Sequence, residues 1–143
     1  MTDRAAIADR LHSLAIHLLR RVARSDQQGG VTGPRLSVLS VLVLGGGPRT
    51  MGELAAAEHV RPPSMTRLIQ AMEVEHLVAR APAPHDARVV RIRATKAGER
   101  VLQEARTRRL AALRTMLAGL SATELNTVRR AVAILEPVVH KKP

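Results

Sequence analysis

The chain has 143 residues, a formal net charge of +11, no cysteine, and no phenylalanine, tyrosine or tryptophan. That length suits one ordinary domain, and the lack of cysteine excludes disulfides, thiolate metal sites and thiol chemistry. The arginine excess favours a polyanion, while the missing rings remove the platforms on which RNA and single strands are usually stacked; duplex DNA, read through its backbone and groove edges, needs none.

The first residues lead into an amphipathic stretch broken by Arg10, His12 and His17, not into an apolar export signal. The longest apolar run, Leu36 to Leu44, is far too short for a bilayer, so a cytoplasmic protein without a membrane partner is expected. Residues 4–24 read as a helix, with Ile7, Leu11, Leu14, Leu18 and Val22 at helical spacing and Arg10, His17, Arg20, Arg21 and Arg24 opposite. Gly29-Gly30 ends that region. Residues 33–44 read as a second helix, with Thr32 as N-cap, Pro34 in the first turn, and Leu36, Leu39, Leu42 and Val43 facing a core.

Thr50-Met51-Gly52-Glu53 has the pattern of a capping box and opens a short helix to about Ala57. Glu58 to Arg61 is a turn. Pro62-Pro63 starts a further helix to about His76, whose inner face holds Met65, Leu68, Ile69 and Met72. From Leu77 the period changes to that of strands: Leu77–Ala81 and Arg88–Ala94, with Val90 and Ile92 on one face and Arg91 and Arg93 on the other. The connection between them carries prolines and reads as a protruding hairpin tip. Thr95 caps a long helix to Ala118, Gly119 stops it, and the capping box Ser121-Ala122-Thr123-Glu124 opens a last helix that Pro137 ends.

A short helix, a turn and a second helix make a helix-turn-helix candidate. Its second helix starts with the exposed set Pro63, Ser64, Thr66, Arg67 and Gln70. Arg67 suits guanine and Gln70 adenine, and the helix N-terminus offers amides and a positive dipole to phosphates. Arg61 and Thr50 are the expected backbone contacts. The hairpin concentrates Arg80, His85, Arg88, Arg91 and Arg93, a placement suited to the minor groove, with Asp86 able to hold Arg88 extended. An ordinary solvated helix face and a charged edge hairpin are the competing readings.

Val60-Arg61-Pro62-Pro63-Ser64-Met65-Thr66-Arg67-Leu68-Ile69 resembles the recognition helix of MarR-type regulators. His85-Asp86-Ala87-Arg88, followed by Ile92-Arg93-Ala94-Thr95-Lys96-Ala97-Gly98, resembles their wing and its exit into the long helix, with Ala94 in place of the usual leucine. The resemblance implies a mainly α fold with a small β-hairpin wing, that is, a winged helix-turn-helix whose N- and C-terminal helices form a dimerisation region. It divides the chain into dimerisation helices at 1–30 and 100–143 and a DNA-binding lobe at 31–99. It also implies a repressor released by a small ligand, with Arg88 as the wing-tip arginine.

The residues themselves also argue for a homodimer. Apolar stripes lie at both ends of the chain, and Val128, Val132 and Leu135 are suited to pack on Ile7, Leu11, Leu14 and Leu18; packing within one subunit is the alternative. Two readers then imply a pseudo-palindromic operator. The other function classes find less support. Gly45-Gly46-Gly47-Pro48 lacks the Lys-Ser/Thr of a phosphate loop, the acids have no catalytic pairing, and His12, His17, His59, His76 and His85 have no metal-ligand spacing. Neither an enzyme, a metal site nor a cofactor is expected. The alternative to a sequence-specific regulator is a non-specific architectural DNA-binding protein.

Overall fold

The computed structural model describes residues 3–141. The chain divides between Arg109 and Leu110 into two compact units. The first holds α1 (Arg4–Ala23), a 3₁₀ turn (Arg24–Gly29), α2 (Gly33–Leu44), α3 (Met51–Ala57), α4 (Pro62–Val74), β1 (Val78–Ala83), β2 (Asp86–Ala94) and the greater part of α5 (Lys96–Leu117). The second holds α6 (Ala122–His140).

The core of the first unit is aliphatic and thioether throughout. Val38, Leu39 and Leu42 of α2 meet Leu54 of α3, Met65, Ile69 and Met72 of α4, then Leu77, Val78 and Ile92 of the hairpin. Met65, Ile69 and Met72 recur at i, i+4 and i+7, which puts them on one helix face and turns the rest of α4 outward. Val43, expected inside, instead lines an open groove with Lys96, Glu99, Arg100 and Gln103 of α5; Val38 takes the core place on α2.

Local chemistry sets the element ends. The Thr50 hydroxyl accepts from the Glu53 amide at 3.2 Å and the Glu53 carboxylate accepts from the Thr50 amide at 3.0 Å. The same reciprocal box at Ser121 and Glu124 opens α6. Thr32 stands at the N-cap of α2, but its oxygen accepts from the Arg35 guanidinium at 3.1 Å rather than from a backbone amide. Both helices of the helix-turn-helix end on a histidine in the left-handed region, His59 at φ 52° and His76 at φ 57°. The His76 amide donates to Glu73 O at 3.0 Å and the Leu77 amide to Met72 O at 2.9 Å, the paired bonds that close a helix around such a residue.

α4 therefore stops at Val74, two residues before the expected His76, and β1 begins at Val78. The hairpin ladder runs Val78↔Ala94, Ala79↔Arg93, Arg80↔Ile92, Ala81↔Arg91 and Pro82↔Val90, so Pro82 belongs to the strand rather than to the connection. Val90 is exposed beyond the core, and Ile92 alone of its face is buried. Arg49 adds a single bridge to Ile92 as a third, minimal strand, and its guanidinium donates to the carbonyls of Gly45, Gly47 and Pro48.

Two further findings depart from the sequence reading. Pro137 lies inside α6, which continues to His140. A proline there removes one N–H and crowds the carbonyl of Ala133, and both effects fall on an exposed stretch within the last turns of the helix. Asp26, unremarked in the sequence, is buried in the 3₁₀ turn, and its carboxylate accepts from Arg109 Nε at 2.9 Å and Nη2 at 2.6 Å. This pair joins the turn to α5 and raises the pKa of Arg109 through the hydrogen bond. Among the described residues no helix is long and apolar enough to cross a membrane.

Candidate nucleic-acid interface

α3, the Glu58–Arg61 turn and α4 form the helix-turn-helix. With its Met and Ile face buried, α4 leaves Pro63, Ser64, Arg67 and Gln70 exposed on one surface. Thr66 is half-buried, and its hydroxyl donates to Pro62 O at 3.0 Å, so it presents only lone pairs and a methyl group outward. Arg61 is exposed at the N-cap, while Thr50 is half-buried with its oxygen engaged in the capping box.

The start of α4 differs from the expected anion cradle. Pro62 and Pro63 have no N–H, and the amides of Ser64 and Met65 both donate to Arg61 O, at 3.0 and 3.1 Å. The first turn thus has no free amide for a phosphate. What remains there is the helix dipole and the side chains of Arg61, Ser64 and Arg67.

The wing is aimed by an irregularity. After Pro82↔Val90 the register shifts, and Ala83 pairs with Asp86, leaving Ala87, Arg88 and Val89 outside the ladder. A bulge of this kind re-aims a side chain. Asp86 Oδ1 accepts from the Arg88 backbone amide at 3.0 Å and from its Nε at 3.1 Å, and Oδ2 accepts from Nη2 at 3.3 Å. The Arg88 side chain is nonetheless 92% exposed. Its hydrogen bonds hold the Asp86 carboxyl below the usual carboxylate range. His85 is exposed in the hairpin turn, and Arg91 is half-buried opposite Ala81.

A model of the MarR family matches residues 29–89 of this chain. An HTH-type transcriptional regulator of Mycobacterium tuberculosis is 33% identical over 139 residues, covering 97% of this chain and 96% of the relative. A MarR family protein of Bacillus stearothermophilus superposes with a TM-score of 0.80 at 30% identity, covering 99% of each chain. The chain belongs to the MarR family. The fold is shared more widely: a mutant of S. aureus MepR bound to an oligodeoxyribonucleotide matches with a TM-score of 0.69 at 16% identity, over 94% of this chain and 98% of that one.

As a MarR-family chain, the protein is a winged helix-turn-helix transcriptional regulator. Two ion pairs that sequence reasoning missed hold the end of α4. Arg35 of α2 grips Glu75 in bidentate fashion, Nε to Oε2 at 2.9 Å and Nη2 to Oε1 at 2.7 Å, and this hydrogen bonding raises the Arg35 pKa. Arg80, expected among the wing contacts, donates from Nε to Glu73 Oε1 at 2.6 Å and so ties β1 to α4. The two acids, Glu73 and Glu75, close to the end of a helix with no other acid were the available signal. Their partners lie seven and forty residues away in sequence, which no local pattern connects.

The residues expected at a dimer interface sit on open surfaces. Ile7, Leu11, Leu14 and Leu18 are exposed on α1. On α6, Val128 and Val132 are exposed and Leu135 is half-buried.

Proposed function

We propose that this regulator binds a pseudo-palindromic duplex operator as a homodimer, represses transcription from it in the cytoplasm, and is released by a small molecule. The observation that carries the DNA-reading part is the pairing of two exposed elements within one lobe. Ser64, Arg67 and Gln70 stand on the outer face of α4, and Arg88 stands on a bulged tip where Asp86 orients it without covering it. Short polar and bidentate side chains on a helix match base edges in the major groove, and an extended arginine matches the minor groove. The apolar stripes of α1 and α6 support self-association, and two copies of one reader call for a two-fold site. The DNA-bound MepR neighbour supports the same use of the fold. For the effector, the groove between the end of α2 and the first turns of α5 is the supporting feature, and its lining of Val43, Lys96, Glu99, Arg100 and Gln103 gives no aromatic wall.

The test is a titration onto the duplex upstream of the protein's own gene and onto a scrambled duplex of equal length, at two salt concentrations. Operator preference that persists as salt rises, saturating at one dimer per site, is the expected result. Equal and steeply salt-sensitive binding to both, and to duplexes selected from random sequence, would instead establish an architectural role. Arg88→Ala is expected to weaken operator binding by roughly tenfold or more without changing the sedimentation of the free protein.

A further inference from the structure

We propose that Thr95 is a positioning residue for DNA reading: it pins the last turn of α4 to the start of α5 and thereby sets the angle at which the reading helix meets a duplex. The inference rests on the sequence-specific reading above. Besides the first helical bond of α5, which its carbonyl accepts from the Glu99 amide at 2.9 Å, Thr95 makes three bonds in two directions. Its hydroxyl donates to His76 O at 2.6 Å, its backbone amide donates to Leu77 O at 3.0 Å, and its hydroxyl oxygen accepts from the Gly98 amide at 3.0 Å. Two successive carbonyls leaving α4 are thus held by the residue that caps α5. Gly98 lets this happen: a Cβ there would lie 2.2 Å from Leu77 O and 2.9 Å from Leu39 Cδ2.

Capping alone does not account for the arrangement. A cap needs only an accepting oxygen, which Asp, Asn or Ser supplies as well. The donated hydrogen to His76 O is a second task that a hydroxyl performs. It also falls where the polar ties of α4 to other elements converge. Glu73–Arg80 and Glu75–Arg35 hold the same final stretch, whereas the side-chain hydrogen bond in the first turns, Thr66 to Pro62 O, stays within the helix. The polar ties of α4 to other elements thus gather at one end, the Met65, Ile69 and Met72 face is held by apolar packing along the helix, and the reading side chains begin at the other end. A helix of 13 residues is about 20 Å long, so a tilt of about 3° at the anchor moves the far end by about 1 Å. That displacement is enough to spoil a bidentate base contact.

The experiment compares Thr95→Ser, Thr95→Asp and Thr95→Val, each titrated onto operator and scrambled duplex below its unfolding temperature. Ser keeps both tasks and is expected to match the wild type. Asp keeps the cap but at neutral pH has no hydrogen for His76 O. Its thermal midpoint is expected to stay near that of the Ser variant, while its operator-over-scrambled ratio falls about tenfold at unchanged affinity for the scrambled duplex. Val loses both tasks and is expected to lose ratio and midpoint together. An unchanged ratio in Thr95→Asp overturns the proposal, and so does an equal loss on both duplexes, which is the signature of its added charge. If the wild type itself prefers no sequence, the functional reading fails separately. Amide hydrogen exchange in the last turn of α4 then decides the pin, and equal protection in the Ser and Asp variants overturns it.

Discussion

At Thr66 the hydroxyl hydrogen already lies on Pro62 O. Thr66→Val keeps the shape and methyl group while removing only that internal bond and two lone pairs, so operator affinity is expected to change by less than about threefold in a titration. Gln70→Ala removes an unencumbered bidentate partner, and should relax selectivity at one base pair by about 1–3 kcal/mol when all four bases are compared there. His76 presents a different balance. A left-handed backbone costs an L-residue about 1–2 kcal/mol, and glycine is free of most of that. His76→Gly is therefore expected to raise stability by up to about 1 kcal/mol in denaturant unfolding; a loss would show that the imidazole makes a contribution the backbone does not reveal. Asp86 gives a pH test. Its folded pKa lies below the ordinary 3.8, so its tie to Arg88 is fully present above that value and is lost as pH falls through the lower, folded one. The Arg88 amide resonance should hold steady from neutral pH to about 4 and move only below it.

Among the elements, the joint between hairpin and α5 tolerates least. Gly98→Ala puts a methyl group against the Leu77 carbonyl, which is backbone and cannot swing aside. A loss of about 1–3 kcal/mol is expected in thermal or denaturant unfolding. Most elements were legible in the sequence because their ends are chemical: the boxes Thr50/Glu53 and Ser121/Glu124, the prolines at 62 and 63, and the Met65/Ile69/Met72 spacing each specify a boundary or a face locally. The misreadings each have a cause outside the local pattern. Pro137 has the chemistry of a stop because interior prolines break helices, but it stands on an exposed stretch one turn from the end of α6, where one lost bond costs least. Val43 has core chemistry and helical phase, yet its place at the end of α2 leaves it on an open groove. Pro82 can sit in the ladder because the sheet has two strands and each is an edge, and the register shift beyond it has no signature in one sequence.

For the whole molecule, the site residues were legible as types and not as partnerships. Arg80 looked like one more wing cation, and only the fold shows it occupied by Glu73. Asp26 carries no local signal in the sequence, and only the fold buries it against Arg109. The apolar stripes on α1 and α6 have a direct test. Leu14→Asp and Val132→Asp, made singly, are expected to shift sedimentation at micromolar protein from twice 15.5 kDa toward the single mass and to weaken operator binding in step. Normal dimer mass in both variants would remove these stripes from the interface. The buried face of the reading helix has one more consequence. Met65 and Met72 flank Ile69 there, and unbranched thioether chains refill a changed space by switching rotamer, where branched residues would leave a void. Volume-conserving replacements of either methionine by leucine are therefore expected to cost less than about 1.5 kcal/mol in denaturant unfolding and to leave the outer face of α4 where it is.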